Sequence, residues 1–181
     1  MKKVLIVVSL CCFTIAIQAQ KTSEKKEFVI DSSKVRTLDK TIKTLYQVIS
    51  AEKEEERNWK QFKFLFYPGA KLIPTGMNQD DVYKAKYLTP QDYINNSKKW
   101  LKMNGFIEKE INRKVNTFGN IAHVFSTYEC YHSKDDKEPF MRGINSIQLI
   151  NDENRWWIAN IFWAQETEDN LIPKKYLPIK K

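Results

Sequence analysis

The chain is poor in the residues on which much site chemistry is built: three cysteines, two histidines and five glycines among 181 residues. Cys11 and Cys12 fall within the first 19 residues, so Cys130 has no partner in the remainder and an internal disulfide is excluded there. A domain of this length buries enough apolar surface to do without one. Cys130 sits in a strand-like segment and reads as a small packing residue. It would share a strand face with His132, but two ligands are too few for a structural zinc site, so no metal is expected. Glycine-rich phosphate loops, a nucleophile elbow and paired-cysteine motifs are all missing, so no cofactor is expected either. No internal repeat or low-complexity block is present, and no apolar run reaches the roughly 20 residues of a comfortable membrane span.

What is present begins with a three-part leader. Met1-Lys2-Lys3 is basic, Val4 to Ile17 is apolar apart from Ser9 and Thr14, and Ala19 precedes a cut before Gln20. This is the plan of a secretory signal peptide over residues 1–19, followed by a polar, lysine-rich flexible linker over 20–36. The expected location is therefore periplasmic or secreted, with no stable membrane anchor after the leader is removed. The formal net charge is +8. Its lysines are scattered and gathered at both ends, which reads as a solvated surface rather than a nucleic-acid footprint.

From residue 37 onward the apolar periodicity changes once. Leu38, Ile42, Leu45, Tyr46 and Ile49 form a helical stripe that Thr37 can cap, and Trp59, Phe62 and Phe66 mark a short second helix stopped by Pro68-Gly69. Ala70 to Ile73 suits a short strand. Thr89-Pro90-Gln91-Asp92 starts a third helix, with Tyr93, Ser97, Trp100 and Leu101 on its inner face and Asn104-Gly105 at its end. Four strand segments follow: Phe106–Phe118, Ile121–His132, Phe140–Ile150 and Arg155–Gln165, the first two joined by a tight turn at Gly119-Asn120. Helices first and long antiparallel strands second predict an α+β domain over 37–177, with about three helices packed on a curved sheet of four or five strands and a C-terminal tail along the surface.

Four stretches carry a family likeness: Leu65 to Leu72, Asn120 to Glu129, Arg142 to Leu149 and Arg155 to Trp163. In this order they resemble the NTF2-like (SnoaL-like) superfamily, specifically a group of uncharacterised exported bacterial proteins within it. The resemblance implies a cone-shaped α+β fold with a cavity between helices and sheet. It leaves function open, because the superfamily includes isomerases, dehydratases, cyclases, transport adaptors and non-catalytic binding modules. A His-x-His pattern common in the final strand of related domains is Asn160-Ile161-Phe162 here, which counts against chemistry that needs those histidines.

Strand alternation then nominates residues. Trp156, Ile158, Asn160, Phe162 and Ala164 share one face, and Ala122, Val124, Ser126, Tyr128 and Cys130 share another; both sets are expected to face the helices. Asn160, Tyr128, Phe162 and Trp156, with Trp100 and Tyr93 from the third helix, are thus the expected ligand-binding residues for a small apolar or amphipathic molecule. As acid or base candidates the sequence offers Glu129, His123 and Asp92. His123 and Glu129 lie roughly 20 Å apart along one strand, too far to form one site unaided. Trp157, Ile161 and Trp163 would fall on the outer sheet face, which predicts a cover there: a second copy in a homodimer, or the tail. The leading expectation is a ligand-binding module without catalysis. A metal-independent isomerase, cyclase or dehydratase-type enzyme is the second, and a protein-interaction domain using the outer sheet is the third.

Overall fold

The computed structural model describes residues 27–80 and 82–179; the expected leader and the start of the linker lie outside them. Within the stretch read as linker, Ser32–Val35 form a short 3-10 turn capped by Asp31, and Val35 is buried in the core. Gln61 Oε1 accepts from Asp31 N, and Asn58 Nδ2 donates to Val29 O, so this stretch is tied to the second helix.

Three helices precede most of the sheet: α1 Leu38–Ile49, α2 Trp59–Phe64 and α3 Pro90–Asn104. Helix α1 starts at Thr37, whose hydroxyl accepts from Lys40 N, and buries Ile42, Leu45, Tyr46 and Ile49 along one stripe. Helix α3 opens with a full capping box, Thr89 and Asp92 each satisfying the other's backbone N–H, and Pro90 in the first turn. It closes at Gly105, whose φ is +71° and where a Cβ would stand 2.2 Å from the His132 carbonyl oxygen; only glycine fits.

The strands are β1 Phe66–Met77, β2 Tyr83–Ala85, β3 Ile107–Phe118, β4 Ile121–Tyr131, β5 Met141–Asn151 and β6 Trp156–Gln165. They form one sheet in the order β2-β1-β6-β5-β4-β3, with β1 parallel to β6 and every other pair antiparallel. Six strands replace the expected four or five. β2 arises within the stretch read as a loop, and β1 is longer than Ala70–Ile73 because Pro68 and Gly69 (φ +86°) are absorbed by a register shift rather than ending an element. Helices and the inner sheet face enclose a core centred on Ile42, Leu45, Phe62, Val124, Ile147 and Ile158.

Two further register shifts decide what faces that core. In β3, Glu110 pairs with Tyr128 but Asn112 pairs with Thr127, so Ile111 is an extra residue. In β6, Ile158 pairs with Leu149 but Asn160 pairs with Gln148, so Ala159 is extra. Each bulge reverses the facing of every residue beyond it, because strand side chains alternate with a period of two.

Candidate functional site

Between α1, α2, α3 and the inner sheet face lies a cavity of about 230 Å³. Its walls are mostly apolar, among them Leu45, Ile49, Leu72, Leu101 and Ile161, with one polar patch formed by Tyr46, Glu108, Tyr128 and Asn145. Glu108 is the unexpected member. The bulge at Ile111 sets it opposite Cys130 on the inner face, whereas an unbroken register from the Gly119-Asn120 turn would have sent it outward. The end of α1 fixes its backbone: Ser50 Oγ accepts from Glu108 N at 2.9 Å, and Ala51 and Phe106 exchange backbone hydrogen bonds alongside.

The patch is wired in one direction. Asn145 Nδ2 donates both to Glu108 Oε1 (3.0 Å) and to Tyr46 Oη (3.1 Å). Tyr46 Oη and Ser126 Oγ are 2.7 Å apart, and Ser126 donates onward to Glu110 Oε1. Since Ser126 spends its proton on Glu110, Tyr46 donates to Ser126. Glu110 is in turn paired with Arg113, which also reaches Asp39 at 3.2 Å. The run from cavity to surface ion pair is thereby satisfied. Two cavity groups keep capacity for something else. Glu108 accepts a single side-chain hydrogen bond, and the Tyr128 hydroxyl has no partner among the described residues although its residue is 2% exposed.

Burial pushes the Glu108 carboxyl up to about 7 from an ordinary 4.5; the Asn145 hydrogen bond opposes this only in part. Glu108 retains some accessible surface, since it lines both this cavity and a second cleft beside Lys43 and Lys109. Burial likewise raises the Tyr46, Tyr93 and Tyr128 hydroxyls and the Cys130 thiol, so all four stay protonated at neutral pH.

Of the expected ligand-binding residues, Tyr128, Trp100 and Tyr93 line this cavity. Asn160 and Phe162 do not, and this corrects the alternation: beyond the Ala159 bulge they face outward, and Ile161 and Trp163 take the inner positions. Asn160 Oδ1 accepts from Lys71 N at 3.3 Å, and Phe162 lines a hollow under the C-terminal tail. Trp156 lies ahead of the bulge and packs against the core, but away from the cavity wall. Trp157 is on the outer face as expected, whereas Ile161 and Trp163 are not.

None of the three acid or base candidates reaches the cavity. Asp92 is occupied by the α3 cap and held below the usual carboxylate range by its hydrogen bonds with Thr89. His123 Nε2 lies 2.9 Å from Ser146 Oγ on the outer face, and Glu129 accepts from the Tyr131 hydroxyl there, pushing that hydroxyl up to about 12. No group of three or more His, Cys, Asp or Glu suited to a metal occurs among the described residues.

The tail crosses the outer sheet. Arg142 pairs with Glu166, Thr127 Oγ1 donates to Tyr176 O, the Tyr176 ring packs on Phe125 at 4.8 Å, and Ile172 is buried.

No family model and no curated protein matches the sequence. Solved structures do match by shape. A scytalone dehydratase-like protein from Novosphingobium aromaticivorans superposes with a TM-score of 0.55 at 11% identity, over 81% of this chain and 93% of that one. A calcium/calmodulin-dependent protein kinase II association domain-like protein from Xanthomonas campestris gives 0.52 at 16% identity, over 70% and 84%. The fold is an NTF2-like α+β cone, three helices against a curved six-stranded sheet. A hexachlorocyclohexane dehydrochlorinase, LinA-type3 from Novosphingobium barchaimii, gives 0.50 at 7% identity, over 70% and 82%. These neighbours bear names from unrelated activities, so the shared shape establishes the fold alone and the cavity's own residues must carry any functional argument.

Proposed function

We propose that this NTF2-like domain binds a small, mainly apolar molecule in its cone cavity, with one polar end of that molecule held by Tyr128 and Glu108. The observation that carries the reading is the Tyr128 hydroxyl, which makes no hydrogen bond among the described residues and belongs to the wall of the same apolar cavity as the Glu108 carboxylate. A hydroxyl in a cavity wall with free hydrogen-bonding capacity can take a ligand atom as its partner.

Native mass spectrometry of the full chain, purified gently from a bacterial host, is the direct test. Extra mass lost on denaturation supports the reading, and Tyr128→Phe should weaken its retention. Protein that carries no such mass, and that also fails to bind the neutral apolar dye Nile red, overturns it.

A second reading is favoured by one specific group. A carboxyl pushed up to about 7 is tuned for proton transfer near neutral pH, and Tyr128 could donate to a developing oxyanion. In this version Glu108 takes the role of base and the domain is a metal-independent isomerase or dehydratase-type enzyme. Glu108→Gln would then abolish turnover while leaving ligand retention in place; turnover that survives the substitution excludes it.

We further infer export, on the strength of residues 1–19, which cell fractionation and N-terminal sequencing would test. Self-association belongs at the end of the outer face that the tail leaves open, where Phe118 is 83% and Ile121 53% exposed. Sedimentation of the protein and of Phe118→Glu measures it; a monomer in both cases would reject that contact.

A further inference from the structure

Glu108 is a buried carboxyl without a counter-ion. Among the described residues no Lys, Arg or His side chain comes within 4.0 Å of it, and none lines the cavity. The nearest candidates are committed elsewhere. Arg57 spends its guanidinium on the carbonyls of Ile49, Ala51 and Phe106. Arg113 is held by Glu110 and Asp39. Lys43 and Lys109 line a second cleft to which Glu108 also contributes, but neither ammonium comes within 4.0 Å of its carboxylate. Inside the cavity the groups around Glu108 are neutral at ordinary pH: Tyr46 from α1, Tyr93 from α3, Tyr128 and Cys130 from β4, and Asn145 from β5; the charged Asp39, Lys43, Lys109, Glu110 and Arg113 meet it only across the second cleft.

The remaining wall is aromatic. Phe62, Tyr93, Trp100, Phe106, Tyr128 and Trp163 all line the same cavity. Ring faces attract a cation, most strongly where water is excluded, and repel an anion. A buried carboxylate is likewise strongly disfavoured until a positive charge comes to it. Both features select the same sign of charge.

Resting on the reading that this cavity holds an amphipathic molecule, we propose that the polar end of that molecule is a protonated amine, bound against Glu108 and framed by the aromatic rings. An organic monocation with an apolar body supplies the missing charge, donates to the free Glu108 lone pairs and leaves its hydrocarbon part for Leu45, Leu72 and Ile161. A carboxylate or phosphate ligand would meet a like charge and no cation.

The experiment compares two probes of matched shape, phenethylamine and phenethyl alcohol, by titration calorimetry on the full chain. At about pH 8 the amine should bind about tenfold more tightly than the alcohol, the range expected for a charge-assisted hydrogen bond to the Glu108 carboxylate. At about pH 5 that preference should disappear, because Glu108 then holds its own proton. Glu108→Gln should bind both probes alike at either pH. If that variant does not fold, the pH comparison on the parent decides the question by itself. Equal affinities on the parent at about pH 8, or a preference for the alcohol, overturn the amine inference and leave the cavity reading standing. Failure to bind either probe overturns both.

Discussion

Strands β3 and β6 each contain one extra residue, yet the two bulges do opposite things to the cavity. At Ile111 the bulge turns charge inward, since Glu108 and Glu110 face Cys130 and Tyr128 in place of Lys109 and Ile111. At Ala159 the bulge turns charge-free bulk inward, since Ile161 and Trp163 replace Asn160 and Phe162. One strand lies at the sheet edge and the other in the middle, between β1 and β5. The inward carboxylate of edge strand β3 takes its one side-chain hydrogen bond from Asn145 on β5, while Ser50 at the end of α1 fixes its backbone. In β6 the inward positions past the bulge are Ile161 and Trp163, which face the apolar part of the cavity wall.

Removing each extra residue is the strongest way to break this comparison. Deleting Ala159 should flip Ile161 and Trp163 out of the core and cost roughly 4 kcal/mol or more, enough to abolish cooperative unfolding by circular dichroism. Deleting Ile111 should cost less, roughly 2 kcal/mol, because the half of β3 near Phe118 is already exposed, while sending Glu108 outward.

The next effect is a pH dependence. Glu108 is held at about 7 in the fold against 4.5 ordinarily, so the folded state keeps a proton that the unfolded chain has lost. Stability should therefore fall as pH rises from 4.5 through 7, by up to roughly 3 kcal/mol, and stay level above that. Glu108→Gln should remove this slope in urea denaturation series at both ends of the range. A slope that persists would place the raised carboxyl elsewhere.

A smaller effect is expected at Gly143. A Cβ there would stand 2.4 Å from both Tyr128 Oη and the Ala164 carbonyl oxygen. Gly143→Ala should cost about 2 kcal/mol and shift the Tyr128 ring, read as a lowered unfolding midpoint together with weaker retention of any cavity ligand. Smallest of all, Asn160→Ala should lose about 1 kcal/mol with its Lys71 hydrogen bond and leave cavity binding unchanged. A large binding defect in that variant would mean that the outer face takes part after all.

How far the sequence could be read follows from these same strands. Helices α1 and α3 were legible because each carries its own local signals, Thr37 and an apolar stripe for α1 and the Thr89–Asp92 box for α3; the second helix was read too long, since it ends at Phe64 and Phe66 opens β1. The inner face of β4 was legible too, where alternation runs unbroken from Ala122 to Cys130 and placed Tyr128 in the cavity wall. The cavity members Tyr93 and Trp100 were visible on α3 through helical spacing, seven residues apart on one face. Glu108 was not, because its facing depends on a single added residue whose only trace is Ile111 amid charged neighbours. Asn160 and Phe162 failed on the matching ambiguity at Ala159. Nor did composition show that Pro68 and Gly69 would lie inside a strand running parallel to β6, since that pairing joins segments far apart in the chain.

Cys130 gives the cavity a clock. It is the one cysteine among the described residues, it lies in the wall opposite Glu108, and burial keeps its thiol protonated. A small alkylating reagent reaches that sulfur only during moments when the cone stands open and the thiolate forms. Its rate of labelling therefore counts openings, and a molecule resident in the cavity would slow the count in proportion to the fraction of time it stays.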